Sequence, residues 1–203
     1  MSYDFLLTSF IIVLMPGTGV IYTVSMGLFG GKKGSFFAVV GCTLGIVPHL
    51  LASIFGLAAI LHTSAVAFQM VKIIGVCYLF YLAYMMYKNT GALSIKEEKK
   101  QNSPIKIALR GFLINILNPK LSIFFLAFLP QFVSSNSSSV LSEMLVLSLT
   151  FMFMTFVVFL MYGFFANKSK ELIQGSPKLI GKIQKSFAGL FVLFGMKLAM
   201  AER

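Results

Sequence analysis

Residues 10–19 read Phe-Ile-Ile-Val-Leu-Met-Pro-Gly-Thr-Gly, and residues 112–120 read Phe-Leu-Ile-Asn-Ile-Leu-Asn-Pro-Lys. Each stretch places a proline inside an apolar run, six or seven residues after a phenylalanine. A proline in a helix interior removes one backbone donor and clashes with the preceding turn, at a cost of about 3 kcal/mol or more. The two stretches therefore predict two helices that are interrupted at Pro16 and at Pro119.

The composition around these stretches is that of a membrane protein. Of 203 residues, 58% are hydrophobic and only 11% are charged, which excludes an ordinary soluble domain, a disordered chain and a disulfide scaffold. The net charge of +11 does not indicate nucleic-acid binding, because the basic residues lie in short gaps between apolar runs. We therefore expect an all-α integral membrane protein that contacts lipid and no nucleic acid.

A helix needs about 20 apolar residues to cross a bilayer, where the backbone must satisfy its own hydrogen bonds. Six stretches meet this requirement, and the sixth, which is the shortest, needs Lys185 and Lys197 to reach the headgroups. The predicted spans are Phe5–Phe29, Phe36–Leu61, Val66–Tyr87, Ile107–Val133, Val140–Ala166 and Ile183–Met200. Together they form one transmembrane domain over residues 1–203.

The basic residues orient these spans. The gaps 30–35, 88–110 and 167–185 hold two, six and five basic residues, which together are 13 of the 17 in the chain. The alternate gaps, 62–65 and 134–139, hold none. By the positive-inside rule the basic gaps face the cytoplasm, which places both the N-terminus and the C-terminus outside.

Six spans divide into two sets of three, and an odd number per set turns the second set upside down. We expect repeat one at about 5–87, a cytoplasmic linker at about 88–106 and repeat two at about 107–200. A single proline is explained equally well by a packing kink. Two breaks at matching positions in two inverted halves instead indicate a transporter binding site, where half-helix ends offer dipoles and unpaired backbone groups.

Lys120 is the strongest candidate for a site residue. It follows Pro119 near the middle of a span, where a lone charge costs about 2.5–3.5 kcal/mol. An ammonium group at this depth suits a solute carboxylate. The alternative is that Lys120 lies nearer the outer surface, although the apolar segment 121–128 argues against it.

His49 is predicted near the middle of the second span. Gly41 and Gly45 share its helical face and would let a neighbouring helix approach closely. Gly75 in the third span is a further candidate for close helix packing. Imidazole groups gain and lose protons near neutral pH, so His49 is either a proton carrier or a packing residue, and the sequence leaves both open.

Weaker polar candidates flank the two breaks. Asn115 and Asn118 share one face of the fourth span and either line a polar path or hold helices together by hydrogen bonds. Gly17, Thr18 and Tyr22 follow the first break, and the Tyr22 ring is a candidate partner for a solute ammonium.

Other chemistry is not indicated. No acidic residue lies deep in a span, which argues against a carboxylate cage for a metal ion. There is no nucleotide-binding or metalloprotease motif, and Cys42 and Cys77 form no CxxC pair. The sequence thus predicts no enzyme, no cofactor and no metal site.

The order and spacing of several segments resemble the LysE/RhtB family of amino-acid exporters. These are Met15-Pro16-Gly17, Gly30-Gly31-Lys32-Lys33-Gly34, the Gly41/Gly45/His49 face, the segment from Lys72 to Leu82, Gly111 to Lys120, and Phe128-Leu129-Pro130-Gln131-Phe132. The resemblance implies a small six-helix carrier of the bacterial inner membrane that exports amino acids or their derivatives, driven by the proton gradient or the membrane potential. Two departures bear on mechanism: Thr18 stands where the family usually has a second proline, and Ile46 and Val47 are apolar where many relatives carry an acidic residue.

The favoured hypothesis is a secondary exporter of a zwitterionic solute with Lys120, Asn115, Asn118 and the two broken ends in its site. The alternatives are a membrane thiol-redox protein, which needs paired cysteines beside the breaks, and a metal or inorganic-ion exporter, which needs deep acids or clustered thiols. The sequence leaves a homo-oligomer open.

Overall fold

The structure is a computed structural model that describes residues 2–63, 65–88, 103–133, 139–168 and 177–200, and the regular elements of these residues are all helical. Most of the predicted cytoplasmic linker, and parts of the predicted gaps 134–139 and 167–185, lie outside the described residues. The nine α-helices of the described ranges are α1 Tyr3–Leu14, α2 Thr18–Phe29, α3 Gly31–Leu44, α4 Val47–Thr63, α5 Ala65–Lys88, α6 Pro104–Ile116, α7 Pro119–Ile123, α8 Val140–Lys168 and α9 Pro177–Met200.

The first predicted span is a bent pair of helices. The Ser2 hydroxyl caps the start of α1 by accepting from the Phe5 N–H. Proline at position 16 has no N–H with which to continue the ladder, so α1 ends at Leu14 and α2 starts at Thr18 after a bend of 54°. The next turn is sharp and uses Gly31, whose φ of 67° is readily adopted only by glycine.

The fourth predicted span is broken in the same manner. The helix α6 ends at Ile116, α7 starts at Pro119, and the two are bent by 52°. The chain continues beyond α7 as a π-helical turn, Phe124–Phe128, and a 3₁₀ turn, Leu129–Phe132. Both interruptions that the prolines predict are therefore present.

A third interruption, which we did not predict, divides the second span between α3 and α4. The Ile46 N–H donates to the Thr43 carbonyl at 3.1 Å instead of to the carbonyl of Cys42, four residues earlier. The proline at position 48 also has no N–H to offer to Leu44. The pair is nevertheless straight enough that Gly31–Gly56 counts as one continuous membrane-spanning stretch.

The described helices agree with a membrane protein, but fewer of them than we predicted are long and apolar enough to span a bilayer. The stretches Gly31–Gly56 and Val140–Ala166 are long and apolar enough to cross a bilayer, and each bent pair adds one more span if its two helices are counted together. The apolar part of α5, Lys72–Met85, is shorter than a full span. The count of six spans stays a prediction.

Glycine packing brings the first half of the chain against the second half. The helix α3 packs along α6, and a side chain at Gly41 would collide with the backbone of Ala108. At Gly45 a Cβ would stand 2.7 Å from the Phe112 carbonyl oxygen, and at Gly75 it would stand 2.8 Å from the Ala127 Cβ. The other main contacts join α2 to α8 and α5 to α9.

Candidate functional site

The first break is closed by the Lys120 ammonium group. Its Nζ atom donates to the carbonyl oxygens of Ile12 and Met15, at 3.1 Å each. Ile12 lies four residues before Pro16, so its carbonyl is the one that the proline leaves without a helical partner. Gly17 permits the approach, because a Cβ there would lie 3.3 Å from Nζ. A side chain from the second half of the chain thus donates hydrogen bonds to the interrupted helix of the first half.

The second break is closed by His49 from the first half. Asn115 lies four residues before Pro119, and its carbonyl oxygen accepts from the Asn118 N–H at 3.0 Å and from His49 Nε2 at 2.9 Å. A carbonyl oxygen can only accept, so Nε2 carries the hydrogen. The other ring nitrogen, Nδ1, lies 3.2 Å from the Ser122 hydroxyl. That hydroxyl donates to a neutral ring and accepts from a protonated one, so this contact suits both charge states.

The third break is closed by Asn115. Its amide nitrogen donates to the Cys42 carbonyl at 2.7 Å, which is the carbonyl that the turn at Ile46 leaves free. The Asn115 side chain is only 1% exposed and lies tightly against α2, where a Cβ on Gly19 would stand 2.5 Å from its oxygen. Asn115 therefore fixes the relative positions of α2, α3 and α6.

Asn118 caps the short helix that carries Lys120. Its side-chain oxygen accepts from the Lys120 N–H at 3.1 Å, and its amide nitrogen is 3.4 Å from the side-chain oxygen of Asn115. The N-cap preference of asparagine explains why α7 starts directly after this residue. The capping fixes the direction in which Lys120 leaves the backbone.

A small cavity lies where the two prolines interrupt their helices. Its polar lining includes Asn115, Asn118 and Lys120, with Gly17 and Gly19 beside them. The volume open to the centre of a water-sized sphere is about 10 Å³, which is room for about one water molecule. A solute of amino-acid size therefore needs the walls to move apart.

Part of the apolar wall of the cavity comes from α8, in which we predicted no site residue. Phe151, Thr155 and Phe159 line the cavity, and their spacing of four residues puts them on one face of the helix. The Phe151 ring stacks on Phe124, with the ring centroids 4.4 Å apart. Phe151 and Phe159 lie four residues before and after Thr155. This pattern is present in the sequence, within a long apolar run.

Some predicted site residues lie elsewhere. The Pro16 and Pro119 rings stand at the breaks without lining the cavity, and Thr18 is exposed as the first residue of α2. Tyr22 is buried, its hydroxyl donates to the Ile107 carbonyl at 2.9 Å, and its ring lies 5.8 Å from the Arg110 guanidinium. The Tyr22 ring, which we predicted as a partner for a solute ammonium, thus already has the Arg110 guanidinium beside it.

The two cysteines differ in their surroundings. Cys42 is buried close to the first break, with its sulfur 3.9 Å from the Gly19 carbonyl oxygen, and Cys77 is exposed on α5. Both are free thiols. In the described ranges no three histidine, cysteine or acidic side chains are grouped so that they could hold a metal ion.

The charge on Lys120 suits this site to an anionic group. The acceptors that the structure gives for its ammonium, the carbonyls of Ile12 and Met15, carry only partial charge. A carboxylate that entered the cavity would form the stronger, charge-assisted hydrogen bond. Entry of a carboxylate would at the same time release the end of α1.

Comparisons with known proteins agree with a membrane carrier. The family model described as LysE type translocator matches residues 10–202. A homoserine/homoserine lactone efflux protein of Salmonella typhimurium is 30% identical over 98% of this chain and 96% of its own length. A leucine efflux protein of Enterobacter sp. (strain 638) is 26% identical, over 97% and 94% respectively. An uncharacterized membrane protein of Vibrio cholerae is 30% identical, over 98% and 96%. No solved structure matches.

Proposed function

Since the chain belongs to the LysE type translocator family, we propose that it exports a small zwitterionic amino acid, or a derivative of one, as a secondary transporter. The proposed location is the bacterial inner membrane, with both termini outside and the proton gradient or the membrane potential as the driving force. The named relatives are efflux proteins for homoserine, homoserine lactone and leucine, which supports a solute of this class.

The observation that carries the proposal is the Lys120 ammonium at the meeting point of the two halves. Holding this charge near mid-membrane costs about 2.5–3.5 kcal/mol, and in this structure two main-chain carbonyls offset part of that cost. A solute carboxylate competes with those carbonyls for the ammonium. Binding would thereby free the end of α1 and couple occupation of the site to movement of the first span.

The pattern of helix contacts supports two related halves. If the first three predicted spans are exchanged with the last three, the contact of α3 with α6 becomes the contact of α8 with α1 and α2. The contact of α5 with α9 maps onto itself. This exchange is the behaviour expected of an inverted repeat whose halves rock against each other.

We assign the proton-responsive role to His49. It bridges the second break through the Asn115 carbonyl and reaches Ser122 on α7, so it contacts both halves of the broken helix. Protonation would reverse the direction of the hydrogen bond with Ser122, a residue of the short helix that also carries Lys120. This reversal links the protonation of His49 to the orientation of the helix that carries Lys120.

The direct test is efflux of labelled amino acids from cells that are loaded with dipeptides and lack their own exporters. The panel includes homoserine, leucine and lysine, and the control cells carry an empty vector. We expect faster efflux of at least one neutral amino acid and no acceleration for lysine, because no described residue that lines the cavity is acidic. Equal efflux from both cell types for every solute would contradict the proposal.

A further inference from the structure

The face of α8 that lines the cavity combines two aromatic rings with one hydroxyl. Phe151 and Phe159 flank Thr155 along this face, and all three are at most 5% exposed. Together with Asn115, Lys120 and their neighbours, these three side chains line the cavity. A solute whose carboxylate meets Lys120 must direct some other part of itself toward the remaining wall.

Two other polar side chains of the lining, Asn115 and Asn118, each bind a main-chain group beside a helix break. The Asn115 amide nitrogen binds the Cys42 carbonyl, and the Asn118 oxygen binds the Lys120 N–H. Thr155 differs, because its hydroxyl donates to the Phe151 carbonyl at 2.9 Å in its own helix. A hydroxyl oxygen that donates once can still accept. The polar group with which α8 can recognise a solute is therefore the Thr155 hydroxyl oxygen, a hydrogen-bond acceptor between two aromatic side chains.

We propose that Thr155 is a specificity-determining residue that accepts a hydrogen bond from a solute with a short, uncharged side chain ending in a donor. Phe151 and Phe159 provide the apolar surface for the carbon atoms of that side chain. The inference rests on the proposed function and deepens it, since it names the substrate class as hydroxyl-bearing neutral amino acids. A site built to pair a solute hydroxyl rejects the analogue that lacks it, because the pairing group is left unsatisfied.

Homoserine and norvaline are a matched pair of probes, since they differ only in a terminal hydroxyl against a methyl group. Thr155→Val makes the corresponding change in the protein. We measure the efflux rate of each labelled solute and take the ratio of homoserine to norvaline, because a loss of folded protein lowers both rates equally. We expect wild type to favour homoserine and Thr155→Val to lower the ratio by about 3- to 10-fold, as the loss of one neutral hydrogen bond implies.

Three further variants separate recognition from structure. Thr150→Val removes a hydroxyl that donates in the same way to Val146 on the same helix, outside the residues that line the cavity, and it should keep the wild-type ratio. If the Thr155→Val variant exports neither homoserine nor norvaline, we compare Thr155→Ser with Thr155→Ala instead. The serine variant should keep the preference for homoserine, and the alanine variant should lose it.

The two possible failures are distinct. If wild type exports neither homoserine nor norvaline nor any other amino acid of the panel, the proposed function is wrong. If wild type exports both probes and the ratio is the same within twofold for valine, serine and alanine at position 155, the assignment of Thr155 is wrong and the proposed function stands.

Discussion

At the scale of single residues, one main-chain carbonyl at each of the three interruptions is bound by a side chain from the other half of the chain. Lys120 binds Ile12, His49 binds Asn115, and Asn115 binds Cys42. An unsatisfied carbonyl in hydrocarbon costs several kcal/mol, so these contacts are what makes interrupted helices tolerable in a membrane. They also tie any movement of one half to the other.

His49 has two separable functions in this account. We expect His49→Gln to keep the contact with the Asn115 carbonyl, because the glutamine amide can donate, but to flatten the pH dependence of efflux, because an amide does not carry protons as an imidazole does. His49→Leu should flatten the profile as well and lower stability by about 1–3 kcal/mol, the value of the two hydrogen bonds that the imidazole makes.

Efflux rates at a series of pH values and thermal unfolding in detergent measure the two effects. A glutamine variant that keeps the wild-type pH profile would remove the proton role and leave His49 as a packing residue.

The sequence predicts the residues at the breaks better than their partners. Proline has a definite consequence for a helix, and a lysine in an apolar run is costly wherever it points, so Pro16, Pro119 and Lys120 are conspicuous. The acceptors of Lys120 are ordinary main-chain carbonyls, which carry no sequence signal. Thr155 was missed because threonine is unremarkable in an apolar helix.

At the scale of helices, close packing between α3 and α6 holds the inner walls of the site. A side chain at Gly41 would meet the backbone of Ala108, which cannot move without shifting the helix. Gly56 lies farther along the same span, and a Cβ there would meet only the Leu126 side chain, at an ordinary 3.8 Å. The two positions form a matched pair for the same substitution.

We expect Gly41→Ala to destabilise the protein by about 1–3 kcal/mol, the usual cost of overpacking, and to lower efflux because Asn115 moves with α6. Gly56→Ala should change neither property appreciably. Thermal unfolding in detergent and efflux of the same solute provide the measurements. Equal stability of both variants would mean that α3 and α6 are not as closely packed as described.

The break between α3 and α4 is the interruption that we did not predict from the sequence. Gly45 and Pro48 both disfavour helix, but a glycine in a membrane helix more often marks close packing, which is how we interpreted it. Both properties hold at Gly45, since it also contacts the Phe112 carbonyl. Sequence alone does not separate a packing glycine from one that ends a helix.

At the scale of the whole molecule, the cavity between the two halves is too small for a solute of amino-acid size. The cavity admits about one water molecule, and Phe124, Phe125 and Phe151 pack against each other beside it. Export through this site requires the walls to separate on one side at a time. The family, the helical class and the two proline breaks were predictable from sequence, whereas the contacts between the halves were not, because they depend on side chains more than 60 residues apart.

The central claim is that the Lys120 ammonium binds the solute carboxylate where the two halves meet. The most direct measurement is exchange of labelled homoserine in proteoliposomes that contain wild type, Lys120→Met or the control Lys185→Met, a change at an exposed lysine of α9. We expect exchange to fall at least about 100-fold in Lys120→Met, as the loss of a buried charge pair of about 3 kcal/mol implies, and to stay at the wild-type rate in Lys185→Met. Wild-type exchange in a well-folded Lys120→Met protein would contradict it.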